Sequence, residues 1–245
     1  MGRFALKIRD HIGVPERKKL YNEIHFAEAA SRYDLATRAM SLFRDASWKA
    51  RLVGSLPPVR APLCVDIACG TGDVALLLAE RYPEGRVAGL DIAEPMLAIA
   101  RKRNDHRNLR FHRRDMCETA FPEQSVDIVT GSYALRNAPD LARAVGEIRR
   151  ILKPGGTAAF LDFSKPRAAC FRIPRHLLLR TWCGFWGLLL HGNHEVHGYI
   201  AASLSAFPDR RALRALFGES GFELVSSRRF FLGILELLVF RRSPC

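Results

Sequence analysis

The stretch Leu63-Cys64-Val65-Asp66-Ile67-Ala68-Cys69-Gly70-Thr71-Gly72-Asp73 decides the fold. A short apolar run containing β-branched residues leads into Gly70-Thr71-Gly72, and Asp73 then opens the helix-periodic run Val74-Ala75-Leu76-Leu77-Leu78. This order predicts a strand, a tight turn and a helix, which together form the first half of a nucleotide-binding βαβ unit. Glycine suits such a turn because it lets the backbone approach a ligand with no Cβ in the way.

Acidic residues around this loop indicate which ligand it holds. The glycine spacing fits a dinucleotide and S-adenosylmethionine equally well. However, Asp66 and Asp73 bracket the loop, and two carboxylates repel a pyrophosphate at a helix N-terminus. S-adenosylmethionine carries an ammonium and a sulfonium and no phosphate. The loop therefore favours the positively charged methyl donor over a nicotinamide cofactor.

Two further aspartates follow the next two predicted strands. Asp91 ends the apolar run Val87–Leu90, about 20 residues beyond the glycines, where an acidic residue holds both ribose hydroxyls. Asp115 follows the predicted third strand, 109–114, where a carboxylate can accept from an adenine amino group. For each aspartate, a helix N-cap or a turn remains the structural alternative.

Length and composition describe a globular chain. At 245 residues, with 48% hydrophobic and 26% charged residues, the sequence predicts one large domain. It shows no 20-residue apolar run and no cleavable signal pattern, so we expect a cytoplasmic protein. The six cysteines lack CxxC spacing, which predicts reduced thiols and neither a zinc site nor a disulfide framework.

The formal net charge of +13 raises the question of an anionic partner. The basic residues are mostly arginine and are spread along the chain, so a general arginine bias and a functional basic face remain equally open. No basic stretch interleaved with aromatic residues is present, and we therefore predict no specific nucleic-acid partner.

The pattern along the chain divides it in two. Residues 1–19 read as a basic arm, and helical periodicity runs from Tyr21 to about Trp48, so residues 1–61 are predicted to form an arm and helices that act as a lid. Residues 62–245 alternate strands and helices, which predicts a parallel sheet with right-handed crossovers. The fifth strand is predicted at Thr157 to Phe163, after a helix that stops at Lys153-Pro154-Gly155-Gly156.

Several segments together resemble one family. They are DIACGTGD (66–73), GLDIAEPML (89–97), ALRNAPD (134–140), LKPGG (152–156) and LDFSKP (161–166), with SRYD at 31–34. The chain resembles the UbiE/MenG family of class I methyltransferases, which methylate a ring carbon in menaquinone and ubiquinone synthesis. The resemblance runs from about Phe26 to about Phe240. It implies an α/β class I methyltransferase fold, Rossmann-like, with a seven-stranded, mostly parallel sheet, an antiparallel last strand and an N-terminal helical lid.

The resemblance also implies a function. It is S-adenosylmethionine-dependent C-methylation of a prenylated quinol ring, demethylmenaquinol or a related benzoquinol, in respiratory quinone biosynthesis. The alternative is an N- or O-methyltransferase acting on another lipid or small molecule; a nicotinamide-dependent reductase and a nucleic-acid-binding protein are more distant readings. The cofactor-binding residues implied by the loop and the family together are Tyr33, Asp66, Gly70, Thr71, Gly72, Asp91, Ile92, Asp115, Met116 and Ser132.

Catalysis of this kind needs few groups. The ring carbon becomes nucleophilic when a ring hydroxyl ionises, so the protein must align the reactants and assist that ionisation. Arg136 in the signature segment is the candidate for stabilising the phenolate, and Asn137 for orienting it or a water. The alternative for Arg136 is a structural ion pair with Asp140 or Asp162.

Two segments after the fifth strand each allow more than one interpretation. His191, His194 and His197 offer a base or a polar lid; we expect no metal, because the spacing falls one residue short of HExxH and a sulfonium methyl needs no metal. The apolar run Leu177–Leu190, within an insertion near 170–198, is too short to span a bilayer. One interpretation is a site for the prenyl tail that also contacts an anionic membrane peripherally, with help from Arg172, Arg175 and Arg180. The alternative is a buried helix or a homodimer face.

The sequence also departs from the family pattern. Tyr133-Ala134 stand where the family usually carries Phe-Gly, His197 stands where it often has a tyrosine, and the final strand lacks the usual small and His-containing ending. These changes line the expected acceptor side, so the sequence indicates the methyl donor more firmly than the acceptor.

Overall fold

A computed structural model describes residues 11–166, 169–191 and 195–244, with side chains described at 11–166, 177–189 and 199–244. Within these ranges seven strands form a single sheet. They are β1 (Leu63–Ile67), β2 (Arg86–Asp91), β3 (Leu109–Arg113), β4 (Val126–Ser132), β5 (Leu152–Phe163), β6 (Phe222–Phe230) and β7 (Leu235–Arg242).

The strands lie in the order β3-β2-β1-β4-β5-β7-β6. The first five strands in this order run parallel to one another, and β7 runs antiparallel to both β5 and β6. The central strands are apolar runs that are buried along nearly their whole length, as expected when helices cover both faces of a parallel sheet. The predicted seven-stranded, mostly parallel class I methyltransferase fold is confirmed.

The amino-terminal region is helical. It contains α1 (Pro15–Ala29), a 3-10 turn (Ala30–Arg32), α2 (Tyr33–Met40) and α3 (Asp45–Gly54). The arm predicted for residues 1–19 therefore ends earlier than expected. Pro15 stands in the first turn of α1, where a missing N–H has no hydrogen bond to lose. Residues 1–10 of that arm lie outside the described part of the chain.

Further helices flank the sheet: α4 (Asp73–Arg81), α5 (Glu94–Arg103), α6 (Leu141–Ile151), α7 (Ala169–His191), α8 (Glu195–Ala206) and α9 (Arg210–Glu219). Helix α6 buries Val145 and Ile148, and its N-cap Asp140 accepts a hydrogen bond from the N–H of Arg143. Strand β5 begins five residues before the predicted start, because Leu152 already pairs with Val126 ahead of an irregularity in the ladder.

Helices α7 and α8 form the insertion between β5 and α9. The indole Nε1 of Trp182 donates to the main-chain oxygen of Met40 at 3.1 Å, which holds α7 against the end of α2. Across the described residues, no helix combines the length and the apolar character needed to cross a membrane. The side chains of Arg172, Arg175, His191, His194 and His197 lie outside the described ranges.

Candidate functional site

The turn between β1 and α4 depends on two glycines. Gly70 and Gly72 have φ angles of 55° and 91°, in the left-handed region that residues with a Cβ rarely adopt. A Cβ on Gly72 would also lie 2.9 Å from the ring of Phe111. Glycine therefore gives the loop both its turn and its close packing against β3.

Asp91, the last residue of β2, holds this turn in place. One oxygen of its carboxylate accepts from the N–H of Gly70 at 2.8 Å, and the other accepts from the N–H of Ala93 at 2.9 Å. Burial raises the pKa of this carboxyl above its ordinary value, and these main-chain donors oppose the shift. The ends of β1 and β2 are thus fixed relative to each other.

A cleft of about 570 Å³, counting its mouth, opens beside this loop. We call it the glycine-loop cleft. It brings together seven of the ten residues predicted to bind the cofactor, along with two from α1. The seven are Tyr33, Gly70, Asp91, Ile92, Asp115, Met116 and Ser132, and the two are Asn22 and Phe26.

Asp66, Thr71 and Gly72 are not among the residues that line the cleft. Asp66 is buried and accepts from the hydroxyl of Thr130 at 2.7 Å, and burial raises its pKa to about 7. The hydroxyl of Thr71 donates to Asp34 at 2.6 Å. These three residues support the loop from behind, and their contact with a cofactor stays a prediction.

Asp73 was expected to favour a positively charged donor, but it is paired with cations of the protein itself. Its carboxylate lies 2.8 Å from Lys49 Nζ and 2.6 Å from Arg103 Nη2, and these cations lower its pKa. The negative charge is therefore matched within the protein, on the side of the loop away from the cleft lining. Asp73 does not line the cleft; among the described residues, Asp91 and Asp115 place carboxylates there.

The chemistry of the cleft fits S-adenosylmethionine. Asp91 at the end of β2 and Asp115 after β3 both line the cleft, and Ile92, Met96 and Met116 add apolar surface to it. A carboxylate at the end of the second strand is the usual partner of ribose hydroxyls in this kind of fold. Among the described residues that line the cleft, Arg114 alone is basic. A pyrophosphate would find few positive partners among these residues, whereas ribose hydroxyls and an adenine amino group can donate to the two carboxylates. The carboxylate of Asp115 also lies 2.8 Å from Lys19 Nζ.

A second cavity of about 890 Å³, counting its mouth, lies next to the cleft. We call it the apolar cavity. Aromatic and aliphatic side chains from α1, α2, α7, α8 and the end of β5 form most of its wall, and Arg136 and Asn137 reach it from the loop after β4. The largest ring-bearing residues of the wall are Phe26, Tyr33, Trp48, Tyr133, Phe163, Trp182, Tyr199 and Phe231.

Arg136 is only 4% exposed. Its Nη1 donates to Ser203 Oγ at 2.6 Å, and its Nε lies 3.8 Å from Asp162. The guanidinium carbon is 5.1 Å from the ring centre of Phe163 and 5.3 Å from that of Tyr199. Of the two partners open to it by sequence, Arg136 takes Asp162. Arg136 both forms this ion pair and lines the apolar cavity. A structural role and a role in stabilising the phenolate are therefore compatible.

Asn137 belongs to a buried hydrogen-bond network. Its side-chain N–H donates to the main-chain oxygen of Tyr133 at 2.8 Å, and its side-chain oxygen accepts from the Tyr199 hydroxyl. Asn22 of α1 donates to the main-chain oxygen of Asn137 at 2.7 Å. Sequence reasoning did not identify Asn22 or Tyr199, because neither belongs to a motif and the partners lie far apart in the chain.

The cleft and the cavity share part of their walls. Phe26, Tyr33, Tyr133 and Asn137 line both spaces. Burial raises the pKa of Tyr33 to about 12, so its hydroxyl stays protonated at neutral pH. The Tyr133 hydroxyl donates to buried Asp45 at 2.7 Å, a bond that the phenylalanine of the family pattern could not make.

In the ranges with described side chains, no group of three His, Cys, Asp or Glu residues is placed to hold a metal ion. The base or lid role considered for His191, His194 and His197 falls on side chains outside those ranges.

Comparisons with known proteins agree with this geometry. Residues 15–239 match the ubiE/COQ5 methyltransferase family. The chain is 39% identical to the demethylmenaquinone methyltransferase of Thermus thermophilus over 202 residues, 81% of this chain and 91% of that protein. It is 34% identical to the 2-phytyl-1,4-naphtoquinone methyltransferase of Thermosynechococcus vestitus over 220 residues, 87% of this chain and 96% of that protein.

Solved structures support the fold. An S-adenosylmethionine-dependent methyltransferase from Mesorhizobium loti superposes with a TM-score of 0.59 at 23% identity, covering 80% of this chain and 98% of that one. A complex of the Haloferax volcanii Trm112 activator and a methyltransferase gives a TM-score of 0.65 at 18% identity, covering 89% and 97%. The chain belongs to the ubiE/COQ5 methyltransferase family and is an S-adenosylmethionine-dependent methyltransferase.

Proposed function

We propose that the protein methylates a ring carbon of a prenylated quinol, demethylmenaquinol or a related benzoquinol, in respiratory quinone biosynthesis. The observation that carries the proposal is the buried pair Arg136–Asn137, placed in an apolar cavity that shares a wall with the glycine-loop cleft. The names of the two relatives, both methyltransferases of naphthoquinone-type compounds, support the acceptor class.

Under this proposal the glycine-loop cleft holds the donor. Asp91 would accept from the ribose hydroxyls, Asp115 from the adenine amino group, and Ile92 and Met116 would cover the adenine faces. Gly70 and Ser132 line the same cleft, and Tyr33 stands where the cleft meets the apolar cavity. S-adenosylmethionine supplies an electrophilic methyl group when it is bound.

The apolar cavity would receive the quinol. Its rings favour a flat aromatic head, and its aliphatic residues favour the start of a prenyl tail. The acceptor carbon gains a methyl group and loses a proton, and it is most nucleophilic when a ring hydroxyl has ionised. The guanidinium of Arg136, excluded from water, would stabilise that phenolate far better than an exposed arginine could. Asn137, held by Tyr199, would orient the same oxygen.

We propose that residues 1–61 act as a lid over the catalytic domain at 62–245. Helix α1 places Asn22 and Phe26 in the wall of the glycine-loop cleft, and both helix α2 and the insertion contribute to the apolar cavity. A covered site keeps water away from the phenolate.

Because a prenylated quinol dissolves in bilayers, the proposed function also requires the enzyme to act at a membrane surface. A homodimer remains the alternative role for the apolar insertion.

The direct test is a transfer assay with methyl-labelled donor. Purified protein is incubated with demethylmenaquinol, with a demethylated benzoquinol and with phospholipid head-group amines, and the products are identified by mass spectrometry. We expect a new carbon-bound methyl on a quinol ring. Label on a nitrogen or oxygen of another acceptor, with both quinols unmodified, would favour the alternative N- or O-methyltransferase.

A further inference from the structure

Three segments around the mouth of the apolar cavity expose large apolar side chains. The first follows α2 and carries Leu42 and Phe43, which are 51% and 78% exposed. The second is the 3-10 turn Phe231–Gly233, where Leu232 is 97% exposed. The third is one face of α7. We call these segments the apolar rim; its α7 members are Leu178, Phe185 and Leu189, each more than half exposed.

Each segment of the rim continues directly into the cavity wall. Ser41, which precedes Leu42, lines the cavity, and so does Phe231, which precedes Leu232. On α7, Leu179 and Cys183 line the cavity while the face with Leu178 and Phe185 points to solvent. The rim therefore adjoins the cavity wall at three separate segments of the chain.

The backbone of two rim segments is strained. Leu42, Phe43, Phe231 and Leu232 have φ angles of 52°, 60°, 50° and 54°. For residues with a Cβ this region costs about 1–2 kcal/mol each. Side chains as exposed as Phe43 and Leu232 bury little surface in this chain, so burial of these two side chains does not offset the strain. Strain that points apolar groups at solvent indicates a binding surface.

The exposed charge within the rim segments is positive. Of the acidic residues that directly flank these segments, Asp45 and Glu236 are buried, and Asp34 lies 3.3 Å from Arg103. Residues 35–44, 177–189 and 226–235 contain five arginines and no aspartate or glutamate. All five arginines are exposed. Apolar wedges surrounded by cations match the surface of a bilayer that contains anionic lipids. The arginines are Arg38, Arg44, Arg180, Arg228 and Arg229.

We infer that the apolar rim docks on an anionic lipid bilayer, with Phe43 and Leu232 inserted as wedges and the cavity mouth facing the acyl chains. The inference rests on the proposed function, because a prenylated acceptor would be dissolved in that bilayer. It adds the surface, its orientation and the residues that make the contact.

The test is co-sedimentation of the full chain with vesicles of phosphatidylglycerol and phosphatidylcholine, without donor or quinol. The variant Phe43→Asn/Leu232→Asn keeps residues that tolerate the left-handed backbone. We expect its partition coefficient to fall at least about tenfold, since two large apolar side chains no longer enter the lipid. Val59→Asn is the matched control: Val59 is 39% exposed in the segment before β1, at the amino ends of the parallel strands, and its substitution should leave binding unchanged. Circular dichroism and thermal unfolding establish that both variants are folded.

A second variant tests the contribution of the arginines to vesicle binding. Arg38→Gln/Arg228→Gln should weaken binding to vesicles rich in phosphatidylglycerol and leave the weak binding to pure phosphatidylcholine unchanged. Wild-type binding should fall as salt is raised.

Equal binding of wild type and the Phe43/Leu232 variant would overturn the inference. So would a wild-type dimer that the same variant turns into a monomer, since the rim would then cover a second copy. Methyl transfer to a short-tailed quinol in detergent micelles is measured separately. Transfer without rim-dependent vesicle binding removes only the docking inference, whereas rim-dependent binding without transfer removes only the proposed function.

Discussion

The Nζ atom of Lys18 donates a hydrogen bond of 2.6 Å to the main-chain oxygen of Ala138 and a longer one to that of Arg136. A lysine on the first helix thereby anchors the loop that carries the proposed catalytic pair. Burial lowers the pKa of Lys18 to about 8, so at neutral pH this amine is still mostly charged.

Lys18→Met should loosen α1 from that loop. Hydrogen bonds to a charged donor contribute about 1.5–3 kcal/mol, so we expect a loss of stability in that range and faster amide exchange along α1. Hydrogen exchange with mass spectrometry measures both. Arg17→Met, one residue away and exposed, is the control and should exchange like the wild type. Unchanged exchange in the Lys18 variant would show that α1 is held by other contacts.

Arg136→Lys keeps the positive charge and loses the planar fork that contacts Ser203 and Asp162. We expect kcat to fall at least about tenfold while the dissociation constant for S-adenosylmethionine stays within about twofold, because the lost interaction belongs to the acceptor side. Arg51→Lys is the control, since its guanidinium also lies over a ring, that of Phe230, but at the surface. A variant with normal kcat would contradict the proposed role.

Asp91→Asn replaces a carboxylate that accepts from two main-chain N–H groups. An amide has one acceptor oxygen, so either Gly70 or Ala93 loses its partner and the loop shifts. We expect affinity for S-adenosylmethionine, measured by calorimetry, to fall by about tenfold or more, equivalent to at least about 1.4 kcal/mol. Asp105→Asn, at a carboxylate that is 89% exposed, should bind like the wild type.

Asp66 gives a pH dependence of stability. Its folded-state pKa of about 7 exceeds the ordinary 3.8, so between these values the folded chain binds a proton that the unfolded chain has released. Through this group, the free energy of unfolding falls as pH rises across that window. Asp66→Asn removes this contribution, so its stability relative to wild type should improve on the order of 2 kcal/mol between pH 5 and pH 8. Urea unfolding at the two pH values measures the difference, and parallel pH profiles would contradict it.

Two glycines should respond to alanine in opposite directions. A Cβ on Gly89 in β2 would lie 2.5 Å from the ring of Phe111 and 3.0 Å from the sulfur of Cys69, so Gly89→Ala should destabilise by about 1–3 kcal/mol. Gly146, inside α6, has open space at that position, so Gly146→Ala should stabilise by about 0.5–1 kcal/mol. Thermal unfolding distinguishes them, and equal shifts would refute the packing argument.

The parallel core was predictable because its signals are local. Strand β1, the glycine turn and α4 follow one another directly between residues 63 and 81, and the distance from the glycines identifies Asp91. The partners of Thr71 and Asp73 were not predictable in the same way. Asp34 lies 37 residues from Thr71, and Lys49 lies 24 from Asp73, so only the folded chain brings these pairs together. The start of α1 was placed too late because the four charged residues after Pro15, 16–19, resemble an arm.

The substrate side was harder to predict for a related reason. Cavities are made by side chains from many elements, and no spacing rule joins α1, α2, α7 and α8 around one space. Arg136 was identified through its motif, but its choice of Asp162 over Asp140 depends on the register of β5 beside β4.

Four residues line both the glycine-loop cleft and the apolar cavity, and we therefore expect binding in the two spaces to be interdependent; they are Phe26, Tyr33, Tyr133 and Asn137. A ligand in either space would contact side chains that also line the other space. Thermodynamic linkage requires the effect of each ligand on the affinity for the other to be mutual. A donor bound in the glycine-loop cleft should therefore change the affinity of the apolar cavity for the acceptor before any bond is made or broken.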